Sequence, residues 1–142
     1  MTNDRTFDVV IGSLESEHVV LRPSPVDSEG WSRTTVDVTV RGFSGRVVGD
    51  ILLDELMTFR DALHTLDRSL LGEAELAPLE GWLRIRFRVN RLGHCSVDVE
   101  VRQETGIGHP FYNTLNCMLP NVDQTQLAGI VRALDKAIAK TK

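Results

Sequence analysis

The feature that most constrains this chain is a pair of facing alternations between Trp82 and Arg102. Leu83, Ile85, Phe87 and Val89 alternate with Trp82, Arg84, Arg86 and Arg88. After a break, Cys95, Val97, Val99 and Val101 alternate with Ser96, Asp98, Glu100 and Arg102. Successive side chains leave a strand on opposite faces, so period two marks a half-buried strand. Residues facing each other across a hairpin share a face, and two alternations joined by a short loop therefore fix the register. A three-residue loop, Arg91-Leu92-Gly93, satisfies this condition, with Gly93 in the left-handed conformation that such a turn requires. The register pairs Phe87 with Val97 and Ile85 with Val99 on the core side. On the solvent side it pairs Arg86 with Asp98, Arg84 with Glu100 and Trp82 with Arg102. Each cross-strand pair of this kind contributes roughly 0.2–1 kcal/mol.

The same two periods organise the rest of the chain. Residues 7–11 and 17–21 read as short strands, and Pro23, Pro25 and Gly30 break the pattern after them. Thr34, Val36, Val38 and Val40 then form one face of a third strand, against Arg33, Thr35, Asp37, Thr39 and Arg41. A turn is expected over residues 42–45 and a return strand over residues 46–52. Leu56, Phe59, Leu63, Leu66 and Leu70 recur at spacings of 3, 4, 3 and 4, the stripe of an amphipathic helix. Asp54 is its expected N-cap and Gly72 its expected C-terminal stop. Residues 73–77 read as a strand halted by Pro78, residues 106–110 as a loop, and residues 111–119 as a strand ended by Pro120. Asp123 is placed to cap a last helix with Leu127, Ile130, Val131, Leu134 and Ile138 on its apolar stripe. The expected fold is α+β, a mostly antiparallel sheet of about eight strands with two amphipathic helices packed on it. The order is ββββα-ββββα, in a single domain over residues 1–142.

Residues 35–40 (TVDVTV) echo residues 96–101 (SVDVEV), and the apolar positions of the two helices correspond. With connections of different length, the echo reads more simply as two half-buried strands obeying one pattern than as a duplication.

Composition narrows the function classes. Of 142 residues, 42% are hydrophobic and 25% charged, ordinary globular proportions. A net charge of −4 argues against sequence-independent binding of nucleic acid, which needs clustered Lys and Arg to displace counterions from phosphates. Two cysteines make no disulfide framework. The first residues, Met1 to Arg5, lack a signal-peptide pattern, and no apolar run approaches the ~20 residues needed to span a bilayer. A reduced, cytoplasmic, soluble protein without membrane contact is the expectation.

No motif carries recognisable chemistry. His94, Cys95, His109 and Cys117 are the candidates for a soft-metal cluster, but they lack the close ligand pairs with which zinc sites announce themselves. No nucleophile elbow occurs, and Gly106-x-Gly108 is too short for a dinucleotide fingerprint. Glu73 and Glu75 alternate with Ala74 and Leu76, which makes them the solvated face of a strand. No catalytic residue, cofactor or metal is expected. The stripe Trp82, Arg84, Arg86, Arg88 and Arg91 could form a phosphate-tracking surface with a stacking platform, except that Asp98 and Glu100 lie across from two of the arginines. A mixed-charge face of this kind is either solvated surface or a polar protein-binding surface. Exposed ion pairs are common enough to favour the first reading.

Several segments together resemble a family of small bacterial proteins. They are residues 71–76 (LGEAEL), residues 79–83 (LEGWL), Gly93-His94, and Asp123-Gln124-Thr125-x-Leu127 before an apolar helix. Members are described either as a domain of unknown function or as WapI-type immunity proteins of contact-dependent toxin systems. The resemblance spans about Trp31 to Leu134. It implies a cytoplasmic protein that binds a cognate toxin domain and blocks it without catalysis. The candidate partner-binding face is then Trp82, Arg84, Arg86, Arg88, Asp98, Glu100 and Arg102. Two alternatives stay open. One is a small-molecule-binding or enzymatic domain with a site assembled from distant residues such as His94, Arg102 or Tyr112. The other is a self-associating domain with an exposed apolar sheet edge or face.

Overall fold

The computed structural model describes residues 7–105 and 111–142. The expected loop at residues 106–110, with His109, lies outside the described residues, as does the N-terminal segment 1–5. Strands β1 (Val9–Gly12), β2 (His18–Pro23), β3 (Trp31–Val40) and β4 (Phe43–Leu52) form an antiparallel meander in that order. Helix α1 (Leu53–Ser69) leads to a second antiparallel meander of β5 (Gly72–Leu76), β6 (Leu83–Val89), β7 (Cys95–Thr105) and β8 (Phe111–Leu119). A single 3-10 turn, Gln124–Gln126, then opens into helix α2 (Leu127–Thr141). The order ββββα-ββββα is the expected one, with the eight strands divided equally between two sheets. No helix among the described residues is long and apolar enough to cross a membrane.

Each sheet buries one face, as its alternation demands. Val36 and Val38 of β3, Ile85 and Phe87 of β6, and Val97 and Val99 of β7 are buried. With Leu56, Phe59, Leu63 and Leu66 of α1 and all five stripe residues of α2, they form one hydrophobic cluster. Full burial of each such side chain contributes about 1.5–3 kcal/mol. The helices pack on each other, with α1 also along β5 and α2 along β1. Phe59 meets Phe87 in a tilted ring contact with centroids 6.0 Å apart. Arg60 ties the helices on the solvent side by donating to both Asp61 and Asp135.

The β6–β7 hairpin has the register that its alternations require. Phe87 faces Val97, Ile85 faces Val99, Arg86 faces Asp98 and Arg84 faces Glu100. The Arg102 N–H donates to the Trp82 carbonyl at 2.8 Å, which carries the pairing one residue past β6. The turn is Arg91-Leu92-Gly93: the Asn90 N–H donates to the His94 carbonyl at 3.0 Å, and Gly93 has φ 79°. The Asn90 side-chain oxygen also accepts from the N–H groups of Leu92 and His94.

Element ends depart from the sequence reading, each for a local reason. Val40 pairs with Phe43, so the β3–β4 turn is Arg41-Gly42 and not residues 42–45. Gly42 supplies the positive φ of 88° for that turn, while Gly45 lies within β4 opposite Val38. Helix α1 is capped at Leu52, whose N–H donates to the Glu55 carboxylate at 2.9 Å. Asp54 therefore sits in the first turn, where its charge still suits the helix dipole. The helix stops at Leu70, left-handed at φ 54°, two residues before Gly72. Leu70 is thus an exposed cap and not the last member of the buried stripe. Asp123 does cap: its carboxylate accepts from the Thr125 N–H at 2.8 Å and from the Thr125 hydroxyl. It caps the 3-10 turn that precedes α2.

The two echoing hexapeptides lie in β3 and β7, the third strands of their meanders, and each meander is followed by its helix. The likeness is therefore one of topology as well as of alternation, which shared patterning alone does not require.

Candidate functional site

The outer face of the second sheet assembles most of the residues singled out in the sequence. The even positions of β6 and β7 point away from the core, so Arg84, Arg86, Arg88, Asp98, Glu100 and Arg102 share one surface. The antiparallel pairing of β8 with β7 adds Tyr112, Thr114, Asn116 and Met118 to it, and β5 adds Glu73 and Glu75. Four arginines thus share this face with five carboxylates, Glu73, Glu75, Asp98, Glu100 and, opposite Tyr112, Glu104.

The charges pair along lines that cross-strand facing alone does not give. Arg84 and Arg86 both turn to Glu75, at 2.8 and 3.3 Å, and Arg88 turns to Glu73 at 3.3 Å. Arg102 bonds Glu100 on its own strand at 3.0 Å. Glu73 and Glu75 are therefore the anchors of the arginine stripe as well as solvated strand residues. Asp98, directly opposite Arg86, has no hydrogen-bond or ion-pair partner among the described residues. Arg84, Arg86 and Arg102 donate these bonds from Nε. Their terminal amino groups have no hydrogen-bond partner among the described residues. A shallow depression of about 300 Å³ lies in this face, lined by Arg84, Arg86, Asp98, Glu100, Asn116 and Met118 among others.

Trp82 has a different role from its neighbours. Its indole N–H donates to the Asp50 carbonyl of β4 at 3.0 Å, and its ring covers Gly49, where a Cβ would overlap the indole. Trp82 therefore joins the second sheet to the edge of the first. Beside it runs a groove of about 340 Å³ between the sheets, lined by Arg33, Asp50, Glu80, Arg102, Glu104 and Tyr112 among others. The Arg102 guanidinium sits 5.9 Å from the Tyr112 ring centroid. Arg102 and Tyr112 thus come together, while His94 lies at the turn, the opposite end of the same hairpin.

The thiols are poorly placed for chemistry. Burial, and then the Asp123 charge, push the Cys95 thiol up to about 11, and burial with Glu17 raises that of Cys117. The thiolate is the nucleophile and the metal ligand, so neither thiol is activated by its surroundings. Among the described residues no three His, Cys, Asp or Glu side chains are grouped to hold a metal ion.

The first sheet carries a smaller network on its own outer face. Asp37 receives Arg46 from β4 and Arg22 from β2, and Arg22 reaches on to Asp8 at 3.2 Å. The hydrogen bond from Arg46, followed by that from Arg22, holds the Asp37 carboxyl below the usual carboxylate range against the opposing effect of burial.

Sequence reasoning left out Asn116 and Met118, and named Tyr112 for a small-molecule site and not for this face. The signal was available, because β8 lies antiparallel to β7 and its even residues must join the outer face. It also assigned Glu73 and Glu75 to solvent only, since the hairpin register says nothing about the strand on the far side of β6.

A sequence-family model described as "Immunity protein WapI-like family" matches residues 4–142. Among curated proteins and solved structures, nothing matches.

Proposed function

The chain belongs to the WapI-like immunity protein family, and from that premise we propose that it neutralises a cognate bacterial toxin by binding it, without catalysis of its own. The family match over nearly the whole chain carries this reading. The proposed interface is the outer face of the second sheet, with Arg84, Arg86, Arg88, Asp98, Glu100 and Arg102 at its centre and Tyr112 and Met118 at its border. Trp82 supports this face by fixing its end to the first sheet.

The chemistry of the face favours a protein surface. Arg, Tyr and Met are the residue types enriched at protein interfaces. Glu73 and Glu75 hold the arginine stems in place, and the free amino groups of Arg84 and Arg86 are oriented to receive carboxylates or carbonyls. Asp98 lies ready for a donor or cation from the partner. Four positive and five negative groups nearly balance, so they give specificity through their pattern more than through net attraction.

Co-purification of the protein with the toxin domain encoded beside it tests the reading. Tight 1:1 capture is expected, and absence of enrichment sinks it. A second use, binding of a small molecule, is favoured by one observation: Arg102, Tyr112 and Trp82 converge on the groove between the sheets. A ligand that raises the melting temperature in wild type but not in Tyr112→Ala would support that use.

A further inference from the structure

We propose that Glu75 is the positioning residue of the charged face: by drawing Arg84 and Arg86 toward β5 it keeps Asp98 unpaired and the depression beside it open for a partner. The inference rests on the second sheet being the toxin-binding face. It begins with a choice that the register leaves to Arg86. Glu75 of β5 and Asp98 of β7 both stand directly opposite it, one on each side. Each lies one strand spacing away, roughly 4.8 Å between backbones. Arg86 bonds Glu75 at 3.3 Å and leaves Asp98 without a hydrogen-bond or ion-pair partner among the described residues. Arg84 has the same kind of choice, with Glu100 directly opposite and Glu75 on the diagonal. It too takes Glu75, at 2.8 Å, while Glu100 bonds Arg102.

The two oxygens of one carboxylate account for this outcome. Oε1 of Glu75 accepts from Arg84 Nε and Oε2 from Arg86 Nε, so one anion serves two cations. A network of this kind holds better than isolated exposed pairs. Arg86 is also the least exposed of the ion-paired side chains on this face, at 22%, so its bond is screened less by solvent. The consequence is a separation of charge across the depression. Two guanidinium groups sharing one carboxylate leave a net positive charge on the β5 side. Asp98 leaves a negative charge on β7, with Asn116 and Met118 of β8 lining the far wall. An Arg86 turned to Asp98, as cross-strand facing alone would have it, would lie across the depression and cancel both charges. The polarised depression suits two neighbouring partner side chains of opposite charge, an acidic one for the arginines and a basic one for Asp98.

The first test needs no toxin. In NMR spectra of the isotope-labelled full chain, the Nε–Hε signals of Arg84 and Arg86 report their hydrogen-bond partners. Glu75→Gln should shift both signals, and Asp98→Asn should leave both in place. In the Glu75→Gln background, Asp98→Asn should now shift the Arg86 signal, because the arginine has changed sides. A merely structural glutamate would give no such dependence on background. The second test is affinity for the proposed cognate toxin domain. Glu75→Gln should weaken binding about 10-fold with an unchanged urea midpoint, the order expected when the partner must itself order two arginines. Arginine signals that ignore Glu75→Gln, or that respond to Asp98→Asn in the wild type, would overturn the proposal. So would a Glu75→Gln variant that binds as wild type does while Arg84→Glu with Arg86→Glu binds weakly. A wild type that does not bind would instead overturn the interface itself, and the role of Glu75 with it.

Discussion

The fourth strands of the two meanders hold equivalent places and are finished in different ways. Both begin with an exposed phenylalanine, Phe43 and Phe111. From there β4 runs through two glycines and two charged residues, and Trp82 closes its edge by covering Gly49 and binding Asp50. β8 runs without a charged residue or a glycine, and of its nine residues Leu119 is buried. The outer faces differ in the same sense. On the first sheet, Asp37 draws Arg22 and Arg46 into a closed network. On the second, Arg84 and Arg86 are held by one shared carboxylate while Asp98 is left unpartnered. A repeated topology has thus produced one half whose polar groups are satisfied internally and one half whose groups are arranged but not used. The second half is therefore the one proposed to bind a partner.

The largest effect should come from reopening the closed edge. Trp82→Ala removes the ring over Gly49 and the bond to Asp50, and is expected to destabilise by about 3 kcal/mol in urea unfolding. Gly49→Ala forces a Cβ into the same ring and should cost about 1–3 kcal/mol. If either variant unfolds like wild type, Trp82 does not close β4. The helix between the halves offers a gain: Leu70 adopts a left-handed conformation that glycine takes without strain, so Leu70→Gly should stabilise by up to about 1 kcal/mol.

The smallest effects compare the two aspartates. The folded-state pKa of Asp37 is depressed, so its contribution is fully present above the unfolded carboxylate pKa. That contribution disappears as pH falls through the folded value. Asp37→Asn should therefore flatten the loss of stability on acidification below about pH 4. Asp98→Ala, which removes no intramolecular partner, should leave stability at neutral pH within about 0.5 kcal/mol. A larger loss would mean that Asp98 is tied into the second sheet after all.

Periodicity made the interior of this fold legible. Facing alternations specified the β6–β7 pairing residue by residue, because any one-residue slip would have sent Phe87 and Val97 to solvent. Element ends were less legible because several side chains can serve there. Glu55 reaching back to Leu52 replaced Asp54 as the cap, and a strained Leu70 replaced Gly72 as the stop. The candidate face was legible as parity within one hairpin but not as a network, since long arginine side chains choose among carboxylates on either flank. The closure of β4 by Trp82 was not legible. It joins residues 32 positions apart in sequence and on different sheets, a contact for which no local pattern exists.

Titration calorimetry against the proposed cognate toxin domain tests the assignment of the interface to the second sheet most directly. Wild type should bind 1:1. Arg84→Glu with Arg86→Glu should weaken binding at least about 30-fold while the fold is retained. Arg41→Glu with Arg46→Glu, on the first meander, should bind as wild type does. Equal binding by the two double variants, or no binding by the wild type, would contradict the account.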